Sequence, residues 1–439
     1  MPFDSRVTCI RPLVLATGLA LATAVHADAP IADASPDTGF GNGGSVTYAV
    51  LHNGQPMPLD GISHVVHADD SVTVIAAYSA GGVHLNLRRF KRDGTPDTTF
   101  GPDGFVDVDL STCGTFRTTI VAQPTPDDGF LVSANTCIAR LDHQGALVTT
   151  YGTEGVVRTP TESQSLLFRA DASGRAHAFR RNSTVTAWEV TRYTSDGQRD
   201  ATFGDNGTGR LVTGTGPNQW WDSFVQTDGK PILIGWSGPM GAAGRWTTGG
   251  LPDPDFGTNG MTATPSVNGV IAEPSGVAQL EDGRLVLPST MFSESIRHLV
   301  VLVASPDGRQ FSASPAITSP RYAALGSDAA ASDMRAVTFD QRRSAIVLNA
   351  RTVDSGATPD YVVLCLDAAN QPDARCGEGG LRHLDTVIDG QRGIEKSRWA
   401  TFARGNLFIS GITRIDPASY VSVWRLGFDR IFTDGTDTP

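Results

Sequence analysis

The chain has 439 residues, with 35 Lys and Arg against 46 Asp and Glu, a net charge of -11. An acidic chain without a Lys/Arg cluster argues against nucleic acid and anionic membrane surfaces as partners. Its 48 Gly and 26 Pro, with only 18% charged residues, suit many short strands and tight turns; no long stretch repeats apolar residues at helical spacing.

Residues 1–27 read as a signal peptide. Arg6 and Arg11 form a basic start, Pro12 to Val25 is apolar, and Val25-His26-Ala27 offers small residues for cleavage after Ala27. The apolar run is too short and Ala-rich for a membrane span, and no later segment approaches one. An exported protein, periplasmic or extracellular, is expected. Cys9 leaves with the signal. Cys113, Cys137, Cys365 and Cys376 remain, an even number that suggests disulfides in an exported chain. Three pairings are open, and proximity favours Cys113–Cys137 and Cys365–Cys376.

From Asp37 onward one phrase recurs: Asp, two residues, an aromatic, Gly, two residues, Gly. Its copies run Asp37 to Gly44 (Phe40, Gly41), Asp97 to Gly104 (Phe100, Gly101), a weaker Tyr151-Gly152 to Gly155, Asp200 to Gly207 (Phe203, Gly204) and Asp253 to Gly260 (Phe256, Gly257). A degraded copy covers Pro306 to Phe311, and the last, Asp373 to Gly380, has Cys376 in the aromatic position before Gly377. A fixed period of roughly 50 to 60 residues decides a fold before any local reading does. Between phrases come three short strand-like runs separated by turns such as Asp228-Gly229 and Asp196-Gly197, and a fourth run leaves each phrase. Four antiparallel strands per unit, stacked face to face, make an all-β, seven-bladed β-propeller over residues 28–428, with residues 429–439 as a tail. One strand before the first full unit, Ser45 to Leu51, and three in the last predict closure by the N-terminal strand joining the C-terminal blade, since the alternative leaves edges unpaired. The aromatic is expected between blades, the following Gly at a backbone angle a Cβ resists, and the Asp in an Asx turn.

The unit Arg192-Tyr193 through Gly207 resembles the delta-60 repeat of exported bacterial proteins, and the likeness extends over about residues 35 to 430. It implies a β-propeller and no assigned activity. The ending Asp429 to Gly435 is similar to short C-terminal endings of secreted bacterial proteins.

No cofactor is expected, with one candidate exception: Ca²⁺ held by turn oxygens of Asp93, Asp97 and Asp205, although no loop has EF-hand spacing. His64 and His67 fall on opposite faces of a strand, which opposes a shared metal ion. No Gly-x-Ser-x-Gly elbow and no phosphate-binding Gly loop occurs. Trp220, Trp221, Trp236 and Trp246 cluster; Trp221 and Trp236 are expected in the core, with Trp220 and Trp246 as the exposed pair that could stack a ligand. The leading reading is a monomeric, non-catalytic binding module for an unknown protein or glycan. The alternatives are an extracellular lyase or hydrolase with acidic residues lining the channel, and a structural envelope or surface protein. The long connections Ala313 to Ser332 and Thr386 to Glu395 are candidate recognition loops.

Overall fold

The computed structural model describes residues 34–428 apart from 102–103, 115–119, 160–166, 183–185, 214–217, 294–295, 318–333, 339–342 and 352–358. The expected signal peptide and C-terminal tail lie outside the described residues, as does most of the 313–332 connection.

Seven antiparallel sheets of four strands, one of them with an interrupted first strand, form the blades of a propeller. Blade 1 comprises Gly61–Val66, Val72–Ser79, Val83–Phe90 and Phe105–Asp109. The first strands of the next five blades are Ala122–Pro124, Leu167–Ala170, Asn218–Val225, the interrupted pair Glu273–Pro274 and Ala278–Gln279, and Arg335–Thr338. Blade 7 has Ile394–Ala403, Asn406–Ile415 and Ala418–Gly427 from the end of the chain. Its outer strand comes from the beginning: Ser45 lies opposite Trp424 and Ala49 opposite Tyr420. Closure is therefore as the strand count predicts. The second strand of blade 1 is buried from Val72 to Tyr78 without alternation, because a blade is covered on both faces by its neighbours.

The recurring phrase is a latch between blades. Phe40, Phe100, Phe203 and Phe256 are fully buried and Tyr151 nearly so. Over Phe203 lies the guanidinium of Arg192, from the third strand of the same blade, with its Cζ 4.4 Å from the ring centre. Arg192 Nε donates to Asp200 Oδ2 at 2.8 Å, and its Nη1 reaches into blade 4 to donate to Thr248 O at 2.6 Å. The other Asp200 oxygen accepts the Thr202 N–H, closing the Asx turn. Gly204 N donates across to Gly249 O at 2.7 Å. Gly204 has φ +58°, and a Cβ there would lie 2.2 Å from Thr208 O, so only Gly fits. Arg245 repeats the pattern on Phe256, Asp253 and Pro306 O. Arg425 repeats it on Phe40, Asp37 and Arg92 O, and so locks the last blade to the first. The arginine that opens the unit Arg192-Tyr193 through Gly207 is thus the other half of the latch: it stands on the third strand, ahead of the phrase.

Both disulfides take the pairing that proximity favours, Cys113–Cys137 and Cys365–Cys376. The second spans 11 residues, the same spacing as Arg192 to Phe203. Cys365 thus holds the arginine position and Cys376 the aromatic position of the sixth blade's latch.

Candidate functional site

First strands line a propeller's axis, so side chains from distant repeats meet there. A cavity of about 260 Å³ lies on this axis, lined by residues of blades 2 to 7. It reaches the end of the ring where first strands turn into second strands, since Val225, Ala278 and Thr338 are at or near their strands' ends. Deeper in stand Arg169, Asp222, Arg335 and Trp399.

Two β-bulges aim the key side chains. Pairing in the first strand of blade 4 shifts between Trp220 and Asp222, and in that of blade 7 between Ser397 and Trp399. In each case the residue after the bulge enters the cavity, the usual consequence of one extra residue in a strand. Arg169 and Asp222 form a buried cross-blade pair at 2.5 Å. Asp222 also accepts from Ser223 N at 2.9 Å and, more loosely, from Val277 N at 3.3 Å, tying blades 3, 4 and 5 together. Burial lowers the Arg169 pKa and the Asp222 carboxylate opposes that shift.

Arg335 differs. Its Nη1 donates only to its neighbour's carbonyl, Met334 O, at 3.1 Å; its Nε is buried without a hydrogen-bond partner, and it pairs with no carboxylate among the described residues. Both guanidiniums lie near the Trp399 ring, with Cζ at 5.1 Å for Arg169 and 6.0 Å for Arg335. Toward the opening the walls are apolar: Phe224, Val225, Val337 and Phe402. Among the described residues, two cations and one anion leave the cavity with one unmatched positive charge in an acidic protein. The lining contains no His and no carboxylate besides Asp222, so among the described residues the channel is basic where the enzyme alternative expects acid groups.

The structure separates the other predicted site residues. Trp246, expected to be exposed, is fully buried; it fills the space between blades 3 and 4, 6.2 Å from Phe179 and against Gly209. Trp221, expected in the core, is 36% exposed, because it is the extra residue of its bulge. Trp220 is half-buried against the same core as Trp246. Asp93 and Asp97 each bind their own turn through Thr95 and Thr99, and Asp205 is an exposed group 3.7 Å from Arg210 Nη1. His64 and His67 do point apart, His64 to Ser410 of blade 7 and His67 to Asp128 of blade 2. Sequence reading missed Arg169, Arg335 and Trp399. Aligning the first strands of all repeats would have shown cations on three of them, but the bulges that aim Asp222 and Trp399 leave no local signal.

The chain is thus a seven-bladed β-propeller with a cationic, aromatic axial cavity. Residues 67–100 match the profile of a beta-propeller domain of unknown function (DUF5122). Among solved structures, the polysaccharide lyase Uly1 is similar at a TM-score of 0.49 and 10% identity, over 87% of this chain and 94% of that one. A polysaccharide lyase of family PL25, an ulvan lyase, is similar at 0.39 and 11%, over 70% and 78%. The NanB sialidase from Streptococcus pneumoniae is similar at 0.41 and 9%, over 87% and 70%. No curated protein matches the sequence.

Proposed function

We propose that the protein is an exported, non-catalytic binding module that takes a small anionic ligand in its axial cavity. The observation that carries this reading is Arg335: a half-buried guanidinium with an unpartnered Nε, beside an indole, in a cavity whose one carboxylate is already held by Arg169. A buried donor without an acceptor costs about 1–3 kcal/mol, which an incoming anion would recover. The cavity's volume lies just below the usual range for small-molecule sites, which calls for a small ligand, and its apolar mouth suits an anion with an apolar body. Export is supported by the two disulfides, which persist in oxidising compartments, and no described helix is long and apolar enough to cross a membrane.

Calorimetry with benzoate, glucuronate and the neutral isostere benzamide tests the reading. The anions should bind and benzamide should not, and Arg335→Gln should abolish the difference. Equal binding of benzoate and benzamide, or anion binding unchanged by Arg335→Gln, would defeat it. Glucuronate bound in preference to benzoate would identify an acidic glycan as the partner.

A further inference from the structure

The latch provides its own internal control: four junctions carry both the stacked arginine and the phrase Asp, and one of the four breaks the rule. At the junctions of blades 3, 4 and 7 the arginine Nε binds Oδ2 of the phrase Asp: Asp200, Asp253 and Asp37. Arg89 of blade 1 stacks on Phe100 at 4.4 Å and donates to His143 O like the others. Yet its Nε goes to Thr73 Oγ1 at 3.0 Å and its Nη1 to His143 Nε2 at 2.8 Å. Asp97, the phrase Asp of this blade, binds only its own turn through Oδ1. Among the described residues its Oδ2 has no partner.

The arginine has been drawn into a group that straddles blades 1 and 2. His67 Nδ1 lies 3.1 Å from Asp128 Oδ1, and His143 Nδ1 lies 2.7 Å from Asp128 Oδ2. One ligand atom from each of the three residues falls within 4.8 Å of the others. His67 is buried and its Nε2 is fixed by Thr73 Oγ1 at 2.7 Å, which aims Nδ1 at the carboxylate. The side chains of His143 and Asp128 are 36% and 46% exposed, so the group opens to solvent on one side.

We propose that His67 Nδ1, His143 Nδ1 and the Asp128 carboxylate bind a divalent transition ion of the zinc type, with water completing its shell. Two imidazoles and one carboxylate are a donor set that suits Zn²⁺. Ligand atoms about 2.0–2.2 Å from such an ion sit roughly 3.3 Å apart in a tetrahedral shell. The His67–Asp128 separation is already close to that, and the more exposed His143 ring, whose Nδ1 is now 2.7 Å from the carboxylate, must turn to reach the same spacing. Arg89 donating to His143 Nε2 keeps that ring's proton on Nδ1. Binding moves this proton to Nε2, so the ring stays neutral, and the displaced guanidinium turns to Asp97 Oδ2. That is the pairing the junctions of blades 3, 4 and 7 already have. The Thr73 bond to His67 and the Asp97 acceptor for Arg89 act as outer-shell partners of the site.

The test uses the full chain with its disulfides intact, freed of metal by chelator and dialysis. Co²⁺ should bind one equivalent with visible d–d absorption, and Zn²⁺ should displace it. His143→Gln and Asp128→Asn, both at solvent-exposed turns, should remove the signal. Asp97→Asn, which touches no ligand, should weaken Zn²⁺ by about 10–100-fold. Absence of stoichiometric Co²⁺ or Zn²⁺ binding, or binding retained in Asp128→Asn, overturns the site. Unchanged affinity in Asp97→Asn overturns the exchange of Arg89.

Discussion

The junctions after blade 3 and after blade 6 occupy equivalent places in the ring and are built from different chemistry. After blade 3, Arg192 stacks on Phe203, pairs with Asp200 and reaches Thr248 O in the turn between the third and outer strands of blade 4. After blade 6, Cys365 and Cys376 take the same two positions and form a covalent bond within the blade. The difference follows from ring closure. Every noncovalent latch needs a carbonyl in that turn of the following blade. Among the described residues no such turn joins the third and outer strands of blade 7, because the third lies at the end of the described chain and the outer one near its beginning. An arginine at position 365 would find no such carbonyl among the described residues. The repeat preserves a spacing, and the local topology decides which chemistry can use it.

The largest effect should come from emptying the noncovalent latch. Phe203→Ala removes a fully buried ring between blades 3 and 4 and should cost about 3–5 kcal/mol in denaturant unfolding. A loss under 1 kcal/mol would show that the ring is not what joins those blades. Removing the covalent latch with Cys365→Ala/Cys376→Ala should cost about 2–4 kcal/mol, by loosening constraint on the unfolded chain. The comparison sharpens with a transplant. Cys365→Arg/Cys376→Phe should be no more stable than Cys365→Ala/Cys376→Phe, because the guanidinium lacks its carbonyl. A clear gain from the arginine would break the topological explanation.

How much of this could be read beforehand depends on whether the signal was contiguous. The phrase is contiguous, so the blade number, the buried aromatics, the Gly angle and the ring closure were all legible. The cysteine pairing was legible from proximity, though not its meaning as a substituted latch. Trp246 was misread because its burial depends on Gly209 in the preceding blade leaving room for the indole. Trp221 was misread because a single bulge inverted its face. The cavity was illegible for the same reason: Arg169, Asp222, Arg335 and Trp399 meet only when blades 3, 4, 6 and 7 are wrapped around one axis.

The smallest effect concerns pH, and it should distinguish the same two junctions. Blade 7 is also tied to blade 6 by Glu395, which is fully buried. Its Oε2 accepts Tyr361 N at 2.9 Å, and its Oε1 accepts Thr386 N at 2.6 Å. Burial raises its pKa from 4.5 to about 7; the two amide bonds oppose that shift and the neighbouring Asp360 adds to it. The folded protein therefore keeps this proton to near pH 7, whereas the unfolded chain releases it near 4.5. Between those values the folded state binds this proton more tightly, so the Glu395 contribution to stability falls as pH rises from about 4.5 to 7 and levels off above. No raised carboxylate sits in the blade 3 latch, where Asp200 is shifted downward: burial opposes that shift, but the bonds from Thr202 and Arg192 outweigh it. Buried His64 and His177, whose pKa values burial lowers, make stability rise with pH in parent and variant alike, so the readout is the difference: between pH 4.5 and 7 the parent's unfolding midpoint should fall relative to that of Glu395→Gln. A difference that stays constant with pH would show that Glu395 does not hold its proton in the folded state and would leave the two junctions equal in their response to protons.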